Sequence, residues 1–507
     1  MTTEENGNGA RGRTVAVIDV GSSSVRLLVA RELSPAAFEV VDEERFDARI
    51  GEGQQRTGEL STDGIARGVR AMEVMTALAG SYQSDATAIV GTEALRRAAN
   101  AGEFLQAVRE TCGAQIRVLS GEEEAGAAFL GVANSTLLTD GFVLDIGGGS
   151  LEVMAVAGRQ LQRVQSAPLG AIYAREKYFA SDPPSAREVR GLRKAVRSTL
   201  EVGGPKGELY GTGGAVRGLG RLIRARRGYP LRRLHGLVLT RREVHRISNA
   251  LAAASPEERR RMPGLGANRV DTLPVAALVI DEVMDCLEAD TLTVAGQGLR
   301  EGVVWQLLRG GMGPIEDVRG ASIEGLARAN GVGEPGATSV AETAALLFDA
   351  AGGSHGLGRW ERELLGFAAQ LAGIGMHVDY YNRDRHAEYL VHSGDLRGFS
   401  HREIVLLAAL VRWAGDGTPD ISAHRRLLET DDQRRASVLA AILGVARAIH
   451  RRGVATVAVR DLKTGHGRLK LRLHGSDSLA PELLEIERQA KRFESVLKLE
   501  LVAERTG

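Results

Sequence analysis

Cysteine is scarce: Cys112 and Cys286 are the only two in 507 residues. Two thiols so far apart provide neither a disulfide framework nor a cysteine metal site, and they suit a reducing cytoplasm. Aromatic residues make up only 4%. No apolar run approaches the roughly 20 residues that a membrane span needs. An excess of one charge is also missing, with 65 Lys plus Arg against 64 Asp plus Glu. A chain built to coat DNA or RNA would be more basic, so neither is expected as a partner, and nor is a membrane. Residues 1–13 are polar, lack the apolar core of a signal peptide and read as a flexible leader. The rest, 43% hydrophobic and 25% charged, is ordinary for a globular chain. At roughly 150 residues per domain it should hold three or four domains.

Glycine is plentiful, at 63 residues, and much of it sits in short clusters between apolar runs. Thr14–Asp19 reads as a buried strand, Val20–Ser24 as a turn and Val25–Ala30 as a second strand, which makes a hairpin. A helix follows over Ser61–Leu78, with Ile65, Val69, Met72 and Met75 at helical spacing. The opening then repeats: strand Phe142–Asp145, turn Ile146–Gly149, strand Ser150–Ala155. Asp19 and Asp145 are 145 − 19 = 126 residues apart, which suggests two related half-domains, 14–133 and 134–310. A third glycine turn, Gly211–Ala215, precedes a helix. Residues 311–339 have linker texture. Residues 340–450 are helical (Ala341–Ala351, Trp360–Leu371, Glu403–Trp413, Arg434–His450), and 451–507 alternate like a small α/β module.

Glycine after a strand brings backbone N–H groups close to a ligand and forms an anion nest. An Asp placed before such a turn would repel phosphate and more plausibly holds a bridging cation, as Mg²⁺ commonly does. Asp19 and Asp145 have that placement. Ser120 and Glu123 form a capping box that opens a helix, and Glu122 complements its dipole. Glu124 has no such role. Its neighbours Ala127 and Ala128 are small and leave room over it, so its carboxylate is a candidate general base for water. Glu152 shares a strand face with Ser150, while Leu151 and Val153 take the core face. It reads either as a cation or water ligand or as a solvated edge residue. Arg26 and Arg96 are candidate phosphate contacts or solvated arginines. Arg217, Arg221 and Arg224 form a basic helix stripe, which is either a polyanion track or a solvated face.

The segments Asp19–Arg26, Gly91–Arg96, Ser120–Ala125, Asp145–Glu152 and Gly211–Gly214, in that order, resemble the exopolyphosphatase / guanosine pentaphosphate phosphohydrolase (Ppx/GppA) family of the actin-like ATPase superfamily. The resemblance continues through Leu234–Leu239, Arg269–Asp271, Gly298–Gly302, Gly398–Ser400, Arg402–Glu403 and Ala490–Glu494. It implies an α/β fold of two actin-like (ribonuclease H-like) halves with a cleft, an all-helical HD-like domain and a small α/β tail. It implies that Glu124 activates water, and that Asp145 and Glu152 stand around the metal and water. Gly21, Ser22, Ser23 and Ser24 would bind phosphate together with Gly147, Gly148, Gly149 and Ser150, joined by Gly213 and Gly214 of the third turn.

The expected activity is Mg²⁺-dependent release of terminal phosphate from inorganic polyphosphate, guanosine pentaphosphate or both, in the cytoplasm, by a chain that can form a homodimer. The alternative is a regulator that binds polyphosphate or the alarmone with weak or no hydrolysis. A sugar kinase or chaperone would explain the turns but not Ser120–Ala125. Three departures bear on the choice. Relatives carry Asn at Ser23, a basic residue at Gly126 and Ser at Glu93. In the helical domain, Ala372 and Gly373 stand where a metal-binding His and acidic residue are expected, and His377, His386, His392 and His401 have no ligand-like spacing. A scaffold without a second hydrolytic centre is expected there.

Overall fold

The computed structural model describes residues 12–201, 203, 207–332, 336–415, 417–452, 457–475 and 478–506. Two compact units divide at Val318/Arg319. In the first, β1 (Thr14–Val20) and β2 (Val25–Ser34) form the expected hairpin. They share a sheet with β3 (Ala37–Phe46), β4 (Ala86–Gly91) and β5 (Arg117–Val118), in the order β3-β2-β1-β4-β5. The second sheet holds β6 (Gly141–Ile146), β7 (Leu151–Ala157), β8 (Gln160–Ala167), β9 (Glu208–Thr212), β10 (Val238–Thr240) and β11 (Thr291–Val294), in the order β10-β11-β9-β6-β7-β8. Without β10, the two sheets share one topology. An antiparallel meander (β1/β2/β3, β6/β7/β8) is extended by parallel strands (β4/β5, β9/β11). The repeat seen in the sequence is therefore a structural repeat, and the fold is two actin-like halves.

The apolar strands are buried for the expected reason. Val15–Ile18 and Leu27–Ala30 are essentially inaccessible, and the helix Thr62–Ser81 lays Met72 and Met75 on them behind the Ser61 cap. The half-domain boundary at 133/134 needs correction. The helix Gly121–Ala133 packs Ala125, Ala128, Phe129 and Val132 onto Val143 and Met154 of the second sheet. Conversely, the helix Leu299–Arg309 returns to the first sheet, with Trp305 on Phe38 at 4.7 Å and Arg300 donating to the Leu27 carbonyl. These two helices meet at Ala127/Gly302 and Gly131/Gly298, where a Cβ on any of the three glycines would collide with backbone or with Thr212. Ala127 and Ala128 are small because they are packed in the interior, not because they leave a notch over Glu124.

The leader's end is also shorter than expected, since Glu32 N–H already donates to the Arg13 carbonyl; residues 1–11 lie outside the described residues. The presumed linker contains a helix, Val318–Ala329, whose Ile323 and Ala327 are buried. The second unit holds the expected helices as Gly336–Ala350, Arg359–Leu371, His401–Trp413 and Asp432–Ile449. Its sheet runs β12 (Val457–Gly465), β13 (Arg468–Gly475), β14 (Glu500–Arg505), with the helix Ala480–Leu497 crossing between parallel β13 and β14. Residues 453–456 of the expected α/β module lie outside the described residues. The tail and the helices belong to one compact unit, not two. Among the described residues, no helix is long and apolar enough to cross a membrane.

Candidate active site

Each hairpin turn closes in the same way. Gly21 N–H donates to the Ser24 carbonyl at 3.1 Å, and Gly147 N–H to that of Ser150 at 3.0 Å. Carbonyls in both turns are engaged by other segments of the chain. Ser22 and Ser23 accept from Gly51 and Arg49, while Gly147, Gly148 and Gly149 accept from the segment Gly170–Tyr173. That arrangement leaves backbone N–H groups for an anion. The turns face each other: a Cβ on Gly149 would stand 3.2 Å from Ser22 Oγ, and one on Gly148 3.1 Å from Ser22 Cβ. The third turn closes the same space. Gly213 has φ +85°, and a Cβ there would lie 2.6 Å from Asp145 Oδ1; only glycine is at ease in both respects. All three turns line one cleft of about 150 Å³.

The repeat places different chemistry at equivalent positions. Asp19 pairs across its hairpin with Arg26, and Asp145 with Glu152. Glu152 is 2% exposed and accepts from Ser166 Oγ at 3.0 Å. The solvated-edge reading is therefore wrong, and so is the single core face, because β7 is buried on both sides. The capping box of Ser120 and Glu123 forms as expected. One residue on, Glu124 turns into the cleft beside Asp145 and Glu152.

Burial, opposed by Arg96 and reinforced by Asp145 and Asp19, pushes Glu124 up to about 7. Burial chiefly, then the partly opposing field of Arg217 and the charge of Asp19, leaves Asp145 at about 6. Glu152 is raised well above the usual range by burial and then by Glu124 and Asp145. Asp19 is raised by burial, and its Oδ1 is buried with no hydrogen-bond partner.

Arginines fill the other side. Arg26, Arg217, Arg269 and Arg300 all line the cleft. Burial, then Arg300 and Arg217, lowers Arg26 to about 10. Burial, then Arg45, Arg26, Arg217 and Arg221, lowers Arg269 to about 9. Burial holds these carboxylates up and these guanidiniums down, and the opposite charges beside the carboxylates offset it only in part. A divalent cation would relieve the first set and a phosphate chain the second.

Arg96 departs from expectation. It is not among the cleft-lining residues. Nη1 donates to Glu124 at 2.6 Å and to the Leu119 carbonyl at 2.7 Å, and Nη2 to Glu93 at 2.8 Å. Its guanidinium is engaged by two carboxylates and a carbonyl. The basic stripe divides as well. Arg217 is inside the cleft and donates to the Gly296 carbonyl, Arg221 is half-buried, and Arg224 donates to the Arg232 carbonyl outside.

Arg269, Arg300 and Glu301 had been noted only within resembling segments, and Ser166 not at all. Gly214 was the available signal for Arg269, whose guanidinium occupies the place of the missing Cβ. In the second unit His392 stacks on His424 at 5.1 Å, His401 is buried and His377 is exposed. Among the described residues no group of three His, Cys, Asp or Glu side chains is placed to hold a metal.

The Ppx/GppA phosphatase family matches residues 28–310, and the domain III of that family matches residues 318–485. The chain belongs to the Ppx/GppA phosphatase family. A crystal structure of the Aquifex aeolicus family member is 29% identical over 59% of this chain and 99% of its own, with a TM-score of 0.52. A second study of the Aquifex aeolicus PPX-GPPA enzyme gives 30% identity over 58% and 99%, with a TM-score of 0.50. An exopolyphosphatase from Cytophaga hutchinsonii, 20% identical over 59% of this chain and 98% of its own, shares the fold with a TM-score of 0.53. Each similarity spans little more than half of this Ppx/GppA chain.

Proposed function

We propose that the cleft hydrolyses the terminal phosphoanhydride of inorganic polyphosphate, guanosine pentaphosphate or both. The observation that carries this reading is Glu124: a carboxylate raised to about 7, fixed by Arg96, in a cleft made of three glycine turns. A base with a pKa near the working pH is suited to taking a proton from water. The cleft volume lies below the roughly 300–1,000 Å³ of sites that enclose a whole ligand, which suits one end of a phosphate chain.

Glu124 takes a proton from water as the water oxygen bonds to the terminal phosphorus. The bridging P–O bond breaks in line, and the shortened chain leaves with its electron pair on oxygen. N–H groups of the Gly147–Ser150 and Gly21–Ser24 turns hold the phosphoryl oxygens, and Arg26, Arg217 and Arg269 hold the leaving chain. Mg²⁺ fits this donor set, because the ion commonly uses one or two carboxylates plus substrate phosphate and the orphaned Asp19 Oδ1 is such a donor. Asp19 and Asp145 would hold it, with Glu152 adjoining, and when bound it neutralises charge on the phosphoryl oxygens.

Glu93 favours a second reading, a binding protein with slow turnover, since its side chain lies against the Gly149 turn, with Cγ 2.7 Å from where a Cβ would stand, and adds a carboxylate to the cleft lining. The deciding experiment is phosphate release from long polyphosphate and from guanosine pentaphosphate, side by side with Mg²⁺. Release lost in Glu124→Gln supports the enzyme. Tight binding of either anion without release supports the regulator.

A further inference from the structure

Within the second unit lies a cavity of about 730 Å³, larger than the cleft of the first. It opens where Ala372 and Gly373 replace the metal-binding pair, and Ala414, Gly415, Gly444 and Ala448 keep it open from the facing helices. No donor for a metal survives at 372 or 373. Four arginines, Arg383, Arg447, Arg451 and Arg488, line it instead. Asp384 pairs with Arg447 at 3.1 Å, and Glu485 is shared by Arg451 at 2.9 Å and Arg488 at 3.1 Å. Four cations against two anions leave 4 − 2 = 2 positive charges. Arg383 has no carboxylate partner among the described residues; it contacts Met376 Sδ and lies 5.0 Å over the Tyr380 ring.

His450 belongs to the same wall. It lines the cavity, is 9% exposed, and its Nε2 meets Thr343 Oγ1 at 2.7 Å. Its Nδ1 is buried with no partner. Near the same cavity Tyr380 is 60% exposed, and Met376 and Val340 add apolar surface.

We propose that this cavity binds a small nucleoside phosphate. Two surplus positive charges match a phosphomonoester, which carries about −1.5 to −2 at pH 7. Arg383 and Arg488 receive the phosphate oxygens in charge-assisted hydrogen bonds. The ring of the base lies on Tyr380 and Met376. A bare inorganic phosphate would leave the aromatic and apolar side without a function. The volume lies within the roughly 300–1,000 Å³ usual for such ligands. This site is independent of the hydrolytic cleft and of the reading given to it.

The test is hydrogen–deuterium exchange of the full chain with AMP, GMP, adenosine, guanosine, inorganic phosphate or tripolyphosphate. AMP or GMP should slow exchange in Arg383–Ser393 and Asp432–Ile449, while the nucleosides and the inorganic anions should not. Arg383→Ala should weaken that protection roughly tenfold while phosphate release by the cleft persists. Ala372→Trp, which fills the cavity, should abolish it. Absence of protection by both nucleotides, equal protection by inorganic phosphate or tripolyphosphate, or full protection in either variant would overturn the proposal. Because the first readout uses the unmodified chain, a variant that fails to fold leaves the answer intact.

Discussion

Arg96 grips Glu124 at 2.6 Å while its other guanidinium nitrogen holds Glu93 at 2.8 Å. One half-buried cation thus fixes the proposed base and ties it to a second carboxylate at the Gly149 turn. Glu124→Gln keeps the side chain's shape and removes its basicity. Turnover should fall on the order of 10²–10⁴-fold, with the circular dichroism spectrum unchanged. In the unmodified enzyme kcat/KM should fall as pH drops through about 7, where Glu124 takes up its proton. A rate independent of pH between 5 and 8 would remove Glu124 from the role.

The same groups make stability move in the opposite direction. Glu124, Asp145 and Glu152 all have raised pKa values in the fold. For Glu124 and Asp145 that contribution to stability is full below the unfolded-state values near 4 and is lost as pH rises through about 6 to 7, and Glu152 acts in the same direction. Glu188 and Glu243, lowered to about 2, act oppositely, losing their contribution as pH falls from about 4.5 through 2. Glu152→Gln removes one buried charge from the crowded set. Its melting temperature should exceed that of the parent at pH 8, on the order of 2 °C, with the gap closing towards pH 5. Equal melting at pH 8 would mean that another charge already balances Glu152.

Much of this site is legible in the sequence because it is local. A strand, a glycine turn and a strand place Asp19 or Asp145 at the mouth of its own turn, and the 126-residue repeat announces a second copy. Ser120 and Glu123 announce a helix start, which fixes where Glu124 begins. What sequence cannot give is where a helix packs. Gly121–Ala133 lies on the second sheet and Leu299–Arg309 on the first, an exchange set by contacts between distant segments, such as that of Ala127 with Gly302. Sequence leaves Arg96 open between a phosphate contact and a solvated arginine because two of its three acceptors, the Leu119 carbonyl and Glu124, lie 23 and 28 residues further on. Ala372 and Gly373 were read as a loss, whereas their small size also opens a cavity.

Glu93 is open to direct test. Exchanging it for Ser removes a carboxylate from the Gly149 turn and frees one side of Arg96. KM for a polyanion should fall, about three- to tenfold, and the gain should shrink as salt is raised. An unchanged KM at low salt would make Glu93 a structural partner of Arg96 alone and weaken the case for a slow, regulatory cleft.

Gly126 stands one helical step past Ala125, and a Cβ there would meet nothing within 4 Å. Glycine in a helix interior costs roughly 0.5–1 kcal/mol relative to Ala. Gly126→Ala should stabilise the chain by about that amount in urea unfolding, without altering phosphate release. A loss of stability would show that the helix needs glycine at this position.

The last prediction concerns chain length. Arg217 is inside the cleft, and Arg221 lies half-buried beside it, its pKa lowered by burial and then by Arg217 and Arg224. Such mutual repulsion marks a place where an incoming anion gains more than at an isolated arginine. A long polyphosphate with its end among the glycine turns would extend past Arg217 to Arg221. A short one, such as tripolyphosphate, would end before it. Charge reversal by Arg221→Glu should therefore raise KM for long polyphosphate well above its effect on tripolyphosphate, and should flatten the salt dependence of the long-chain reaction. Equal changes for both lengths would mean that Arg221 acts only through Arg217. In that case the stripe beyond the cleft is an ordinary solvated helix face.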